Sequence, residues 1–192
     1  MTISAEQLAA DREKLRQALI EFAVRRGRVT LASGKESDFY VNAKQISLQG
    51  DPLLWTTRLL WEKIAPSGCE AIGGLTLGAD PLIGALCLYS AQVGQPMIGL
   101  IIRKEPKGHG VQSQIEGPFR QGLKVALIED VTTTGGSAIK AGTVIERAGG
   151  KIVLAVSILN RREGADKAFA EIGWKFDSLF VRSDVDAQSF SF

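Results

Sequence analysis

Short apolar runs alternate with stretches of helical spacing along most of the chain. Runs with no helical repeat begin near residues 71, 97, 124, 151 and 175, the pattern of strands buried on both faces of a parallel sheet. Helical stretches lie between them. Asp51 and Pro52 open one that runs to about Ile64, with proline at the first helical position. Asp80 as cap and Pro81 after it open a second, through Leu88. Ala138, Ile139, Ala141, Val144, Ile145 and Ala148 mark one face of a third, and residues 165–172 carry a fourth. Ahead of these, Ser4 and Gln7 form a capping box leading into a helix on Leu8, Leu15, Leu19 and Phe22, with Gly27 as its stop. Residues 29–47 read as two short strands around a polar Ser33, Gly34, Lys35 turn, and residues 174–181 close the chain as a strand. The alternation predicts an α/β fold with a central, mostly parallel sheet flanked by helices. A chain of 192 residues suffices for one well-buried domain, and nothing in it demands two.

Composition alters that picture little but narrows the function. Hydrophobic residues at 45% and charged residues at 23% are ordinary for a soluble globular domain. A net charge of +2 gives bulk electrostatics no reason to attract nucleic acid or a membrane, so any basic cluster must be local. The first residues are too charged for a signal peptide, and no apolar run approaches the length of a membrane span. Cys69 and Cys87 sit in apolar surroundings without metal-ligand spacing, and a single histidine leaves no zinc set. Both are expected to be core thiols in a reducing cytoplasm.

Candidate chemistry is densest in residues 125–137, VALIEDVTTTGGS. Val125, Ala126, Leu127 and Ile128 form a buried strand that ends on Glu129 and Asp130, at the sheet edge where open α/β folds place ligands. Then come Val131, Thr132, Thr133, Thr134, Gly135, Gly136 and Ser137, opening a helix. The glycines let backbone N–H groups turn inward, the helix start adds partial positive charge, and the hydroxyls add donors, a combination that suits a phosphate dianion. Acids beside a phosphate cup make sense if the ligand is a ribose 5-phosphate, whose vicinal hydroxyls donate to Glu129 and Asp130. This segment resembles the phosphoribosyl pyrophosphate (PRPP) motif of type I phosphoribosyltransferases.

Two further segments carry chemistry. In residues 73–81, GGLTLGADP, glycines at a strand-to-helix junction permit close approach of a ligand, or serve the turn alone. Residues 103–118 hold Arg103, Lys104, Lys107 and His109 among Pro106, Gly108, Gly110 and Gly117. A charge run is ordinarily a solvated face. Here clustering, the sole histidine and the glycine spacing favour a lid that carries positive charge to pyrophosphate and excludes water. Arg161, at a strand end, is either a surface arginine or a planar fork for a carboxylate.

The ordered set TLASGKESDFYVN, GGLTLGADP, RKEPKGHG, IEDVTTTGG and NRREG resembles the orotate phosphoribosyltransferase family over nearly the whole span of residues 29–164. That resemblance implies a type I phosphoribosyltransferase fold with a small N-terminal hood, formed from about residues 1–48 and a C-terminal segment, over a PRPP-binding core of about 49–162. It implies transfer of phosphoribosyl from PRPP to orotate in pyrimidine synthesis, by a homodimer whose lid loop serves the partner subunit's site. Arg103, Lys104, Lys107 and His109 would bind pyrophosphate and assist its departure, and Leu77 and Gly78 would line its loop. Glu129, Asp130, Val131, Thr132, Thr133, Thr134, Gly135, Gly136 and Ser137 would bind ribose 5-phosphate. Thr133, Arg161 and the backbone near Tyr40 and Val41 would contact orotate. Mg²⁺ is expected to be held mainly by substrate and water, with no strong site made by the protein alone. Many members carry lysines where this chain has Ala32 and Gly78, and an aspartate where it has Asn160. No decarboxylase domain follows within the 192 residues, so a single activity is expected. A phosphoribosyltransferase for another base, or a PRPP-sensing regulator without chemistry, are the alternatives.

Overall fold

The structure is a computed structural model that describes residues 3–30, 36–106 and 114–186. Helix α1 (Ala5–Ala18) runs into a π-helical turn (Leu19–Ala23) and then β1 (Val24–Thr30), which pairs antiparallel with β2 (Glu36–Val41) in a separate two-stranded sheet. A short α2 (Lys44–Ser47) and α3 (Gly50–Ile64) lead into the main sheet. There β3 (Ala71–Leu75), α4 (Asp80–Gln92), β4 (Ile98–Ile102), β5 (Ile115–Glu116), β6 (Lys124–Thr132), α5 (Gly136–Arg147), β7 (Lys151–Asn160), α6 (Ala165–Glu171), β8 (Phe176–Val181) and α7 (Arg182–Asp186) follow. The strand order is β5-β4-β3-β6-β7-β8, with every pairing parallel except β4 with β5.

The sheet is covered on both faces, which is why its central strands read as unbroken apolar runs. Alternate residues of β6 go to opposite sides. Val125 and Leu127 pack with Ala141 and Ile145 of α5 and Phe169 of α6. Ala126 and Ile128 pack with Leu60 of α3 and Leu82 and Leu86 of α4. Each valine, leucine, isoleucine or phenylalanine among them, once fully buried, contributes about 1.5–3 kcal/mol, and an alanine less. Four residues of one strand therefore join two cores, and that fixes where Glu129 and Asp130 emerge.

The expected alternation is present, with local corrections. Ser4 Oγ accepts from the Gln7 backbone N–H at 3.1 Å, but the Gln7 side chain turns to Asp11 at 2.7 Å, so only half the capping box forms. Asp11 is buried and also takes Arg58 Nη1 at 3.1 Å, tying α1 to α3. Gly27 does not stop the first helix. The π-helical turn ends it earlier, burying Leu19 and Ala23 and leaving Phe22 exposed, and Gly27 lies inside β1 at φ +104°, where the β1–β2 register shifts. Residues 44–47 are helical rather than extended, because Ile46 and Ser47 bury against the preceding turn. Asp80 does not cap α4; its carboxylate accepts from Thr76 Oγ1 at 2.8 Å. The last strand begins at Phe176, since Trp174 packs against Gly142 and stacks near Phe169 instead.

Phe169 is fully buried, with its ring centroid 4.6 Å from that of Phe176. Phe169→Ala should lower the unfolding free energy by about 3–5 kcal/mol in urea denaturation, and a loss below about 1 kcal/mol would contradict this packing.

Candidate active site at the carboxyl edge of the sheet

Strands β3 and β6 lie side by side, so the turns that follow them share one rim. Between them is a cavity of about 250 Å³ lined by residues 75–79, Ile128, Glu129, Asp130, Ser137, Ala138, Lys44 and Lys104. Gly74 makes the close approach possible, because a Cβ there would lie 2.5 Å from the Ile128 carbonyl oxygen and against the Ala79 Cβ. The turn is further held by the Thr76 N–H donating to the Ile102 carbonyl at 2.9 Å, and the Thr76–Leu77 peptide is cis.

Glycine at position 78 has a local cause. A Cβ at Gly78 would stand 2.7–2.8 Å from the Asp130 carboxylate, so the chain could not carry a lysine here without moving that acid. Asp130 Oδ1 accepts from the Val131 N–H at 2.8 Å, and Oδ2 lies 4.0 Å from Lys44 Nζ. Glu129 is more enclosed. Burial foremost, and then the charge of Asp130, push its pKa up from 4.5 to about 7, against hydrogen bonds from Thr132 and Ser137 that lower it.

The segment after β6 separates its threonines by burial. Thr132 is buried, and its hydroxyl donates to Glu129 Oε2 at 3.2 Å, so it orients the acid. Thr133 is half-buried and Thr134 exposed. Gly135 adopts φ +81° and no side chain caps α5. The first N–H groups of that helix therefore open onto the rim beside Ser137, the arrangement that binds phosphate.

Arg103 and Lys104 leave the end of β4. Arg103 is held at its backbone by the Gln114 carbonyl at 2.9 Å and at its side chain by Glu116 at 3.2 Å. Lys104 lines the cavity and also its neighbour of about 360 Å³, beside Arg103, Gln114 and Lys140. Lys107 and His109 lie outside the described residues, as does Ala32.

Arg161 is buried at the end of β7, so the surface reading does not hold. Its N–H donates to the Thr132 carbonyl at 2.9 Å, its Nη2 meets Glu163 at 2.7 Å, and its guanidinium lies 5.5 Å from the Phe39 ring centroid. Arg182 approaches the same ring at 4.6 Å. Arg161 thereby joins the threonine segment to β2, where Tyr40 is exposed and Val41 buried. Asn160 organises the following turn, donating to Asp166 at 2.9 Å and accepting from the Arg162 N–H at 2.8 Å. Sequence reasoning missed Lys44, Phe39 and Arg182. Lys44 left a trace, as a lone cation in an otherwise uncharged stretch, whereas the Phe39–Arg182 contact joins distant segments and leaves none.

The mostly parallel sheet that brings an acid pair, an uncapped helix start and a cationic strand end to one rim has the type I phosphoribosyltransferase fold. No protein-family model matches the chain. The orotate phosphoribosyltransferase of Thermosynechococcus vestitus is 44% identical over 183 residues, covering 95% of this chain and 96% of that one. A crystal structure of the Mycobacterium tuberculosis orotate phosphoribosyltransferase with Fe(III) dicitrate matches at a TM-score of 0.82 and 34% identity, over 92% of this chain and 99% of that one. The complex of that protein with PRPP matches at 0.78 and 31% identity, with the same coverage of 92% and 99%. The chain belongs to the orotate phosphoribosyltransferase family. Among the described residues no helix is long and apolar enough to cross a membrane.

The raised pKa of Glu129 sets a pH test. The folded chain keeps a proton here that the unfolded chain releases, so the associated stability is complete below 4.5 and is lost as pH rises through about 7. Glu129→Gln cannot ionise. Relative to the parent it should gain up to about 3 kcal/mol between pH 4.5 and about pH 8, measured by chemical denaturation at both values. A pH-independent difference would remove the enclosed-acid assignment.

Proposed function

We infer that the protein transfers the phosphoribosyl group of PRPP to orotate, forming orotidine 5′-monophosphate and pyrophosphate, as a Mg²⁺-dependent cytoplasmic homodimer. The observation that carries this reading is the meeting, at one cavity, of Glu129 and Asp130 with the uncapped start of α5. A phosphate at the α5 start sets the sugar across the acids, and its hydroxyls donate to Glu129 and Asp130. A ring nitrogen of orotate forms the new bond to C1 as the C1–O bond to pyrophosphate breaks; pyrophosphate leaves with the electron pair, and the ring nitrogen gives up its N–H proton to a departing pyrophosphate oxygen or to water. The sugar carries positive charge at that moment. An enclosed carboxylate whose own ionisation is disfavoured in the empty site responds strongly to such a charge.

Arg103, Lys104, Lys107 and His109 stabilise the charge growing on pyrophosphate, and closure of their loop over the partner subunit's site excludes water. Arg161 offers its fork to the orotate carboxylate, with Thr133 and the β2 backbone at Tyr40 and Val41 along the ring. Among the described residues no cluster of three or more His, Cys, Asp and Glu side chains is arranged to hold a metal ion. Mg²⁺ would be held mainly by substrate oxygens and water, with Glu129 and Asp130 helping through the ribose hydroxyls or water. When bound it neutralises charge on the leaving group. The free thiols Cys69 and Cys87 are compatible with a reducing compartment.

Purified protein with PRPP, Mg²⁺ and orotate should consume the ultraviolet absorbance of orotate, and chelation of the metal should stop it. No loss above blank, or faster use of uracil, hypoxanthine or adenine in competition, would overturn the reading. Lys107→Ala should lower kcat by about 10²–10³-fold with little change in KM for orotate. An unchanged kcat with collapsed binding would remove the lid assignment.

A further inference from the structure

We propose that Lys44 binds the pyrophosphate of PRPP, supplying from the α2 wall of the cavity the positive charge that the turn after β3 lacks. The proposal rests on the phosphoribosyltransferase reading and adds a residue to its site. A Cβ at position 78 would stand 2.7–2.8 Å from the Asp130 carboxylate, so a side chain there would have to displace that acid. Lys44 reaches the same place from elsewhere. Its Nζ stands 4.0 Å from Asp130 Oδ2, and its side chain lines the cavity together with Leu77, Gly78 and Lys104.

The base of this side chain is anchored. The Asn42 N–H donates to the Ala23 carbonyl at 3.0 Å, and the Ile46 N–H to the Ala43 carbonyl at 3.0 Å. Ala43, Ile46 and Ser47 are buried against the fold, which leaves Lys44 on the side open to the cavity. Its side chain is 46% exposed and that of Asp130 18% exposed, so Lys44 is the more open of the two. A 4.0 Å separation is the loose limit of an ion pair, and Asp130 already accepts the Val131 N–H at 2.8 Å. An ammonium has three donors on a flexible stem, enough to keep Asp130 near and reach a second anion. A strongly anionic diphosphate entering beside Glu129 and Asp130 needs such a counter-charge.

Steady-state kinetics and calorimetry with PRPP and Mg²⁺ on the full chain test the assignment, using Lys44→Met, Lys44→Gln and Lys44→Arg. Loss of the charge should raise KM and Kd for PRPP about tenfold. KM for orotate and thermal unfolding should stay near the parent values, and Lys44→Arg should restore most of the affinity. Affinity for PRPP unchanged in both Lys44→Met and Lys44→Gln overturns the proposal, as does a shifted pH profile alone, which would make Lys44 only a counter-ion of Asp130. An equal rise in both KM values likewise overturns it. Parent protein that binds no PRPP would instead sink the functional reading, and the two failures are distinct.

Discussion

Two carboxylates emerge side by side where a strand buried on both faces ends, and the rest of the site is arranged around their mutual repulsion. Glu129 lies within the fold and Asp130 beside it. Burial favours the neutral form of Glu129, and each acid takes a donor from its own chain: Thr132 for Glu129 and the Val131 N–H for Asp130. A pair restrained in this way responds to any positive charge brought to it, whether on an ammonium, a hard cation or a sugar losing its leaving group.

The sheet supplies the geometry. Because β6 sends alternate side chains into two separate cores, neither its register nor its tilt can drift without unpacking one of them. Near the end of the adjacent β3, the lack of a side chain at Gly74 lets the next turn lie directly against the end of β6. The uncapped start of α5 and the turn after β3 are thus brought to one rim by packing elsewhere in the sheet. Arg161 extends the same principle to the second sheet, since its backbone is fixed to Thr132 and its guanidinium lies by Phe39 of β2.

Charge is distributed by space. The end of β4 contributes Arg103 and Lys104, the turn after β3 contributes backbone and no cation, and α2 brings Lys44 to the same cavity. A missing lysine in a motif is therefore not equivalent to a missing charge in a site. The Asp130 carboxylate occupies the volume at position 78, and the compensating ammonium enters from a segment that precedes the motif in the chain.

Local rules account for what was legible in the amino-acid order: apolar runs without helical spacing gave the parallel strands, and the prolines at positions 52 and 81 marked the starts of α3 and α4. The acids, threonines and glycines of residues 129–137 were legible as one candidate site, because they lie within a dozen consecutive residues. The π-helical turn that displaces Gly27 into a strand, the commitment of the Thr132 hydroxyl to Glu129, and the burial of Arg161 were settled only by tertiary packing. So were Lys44 beside Asp130 and the two arginines around Phe39. Each depends on which distant segment fills a given volume, and spacing along the chain carries no record of that.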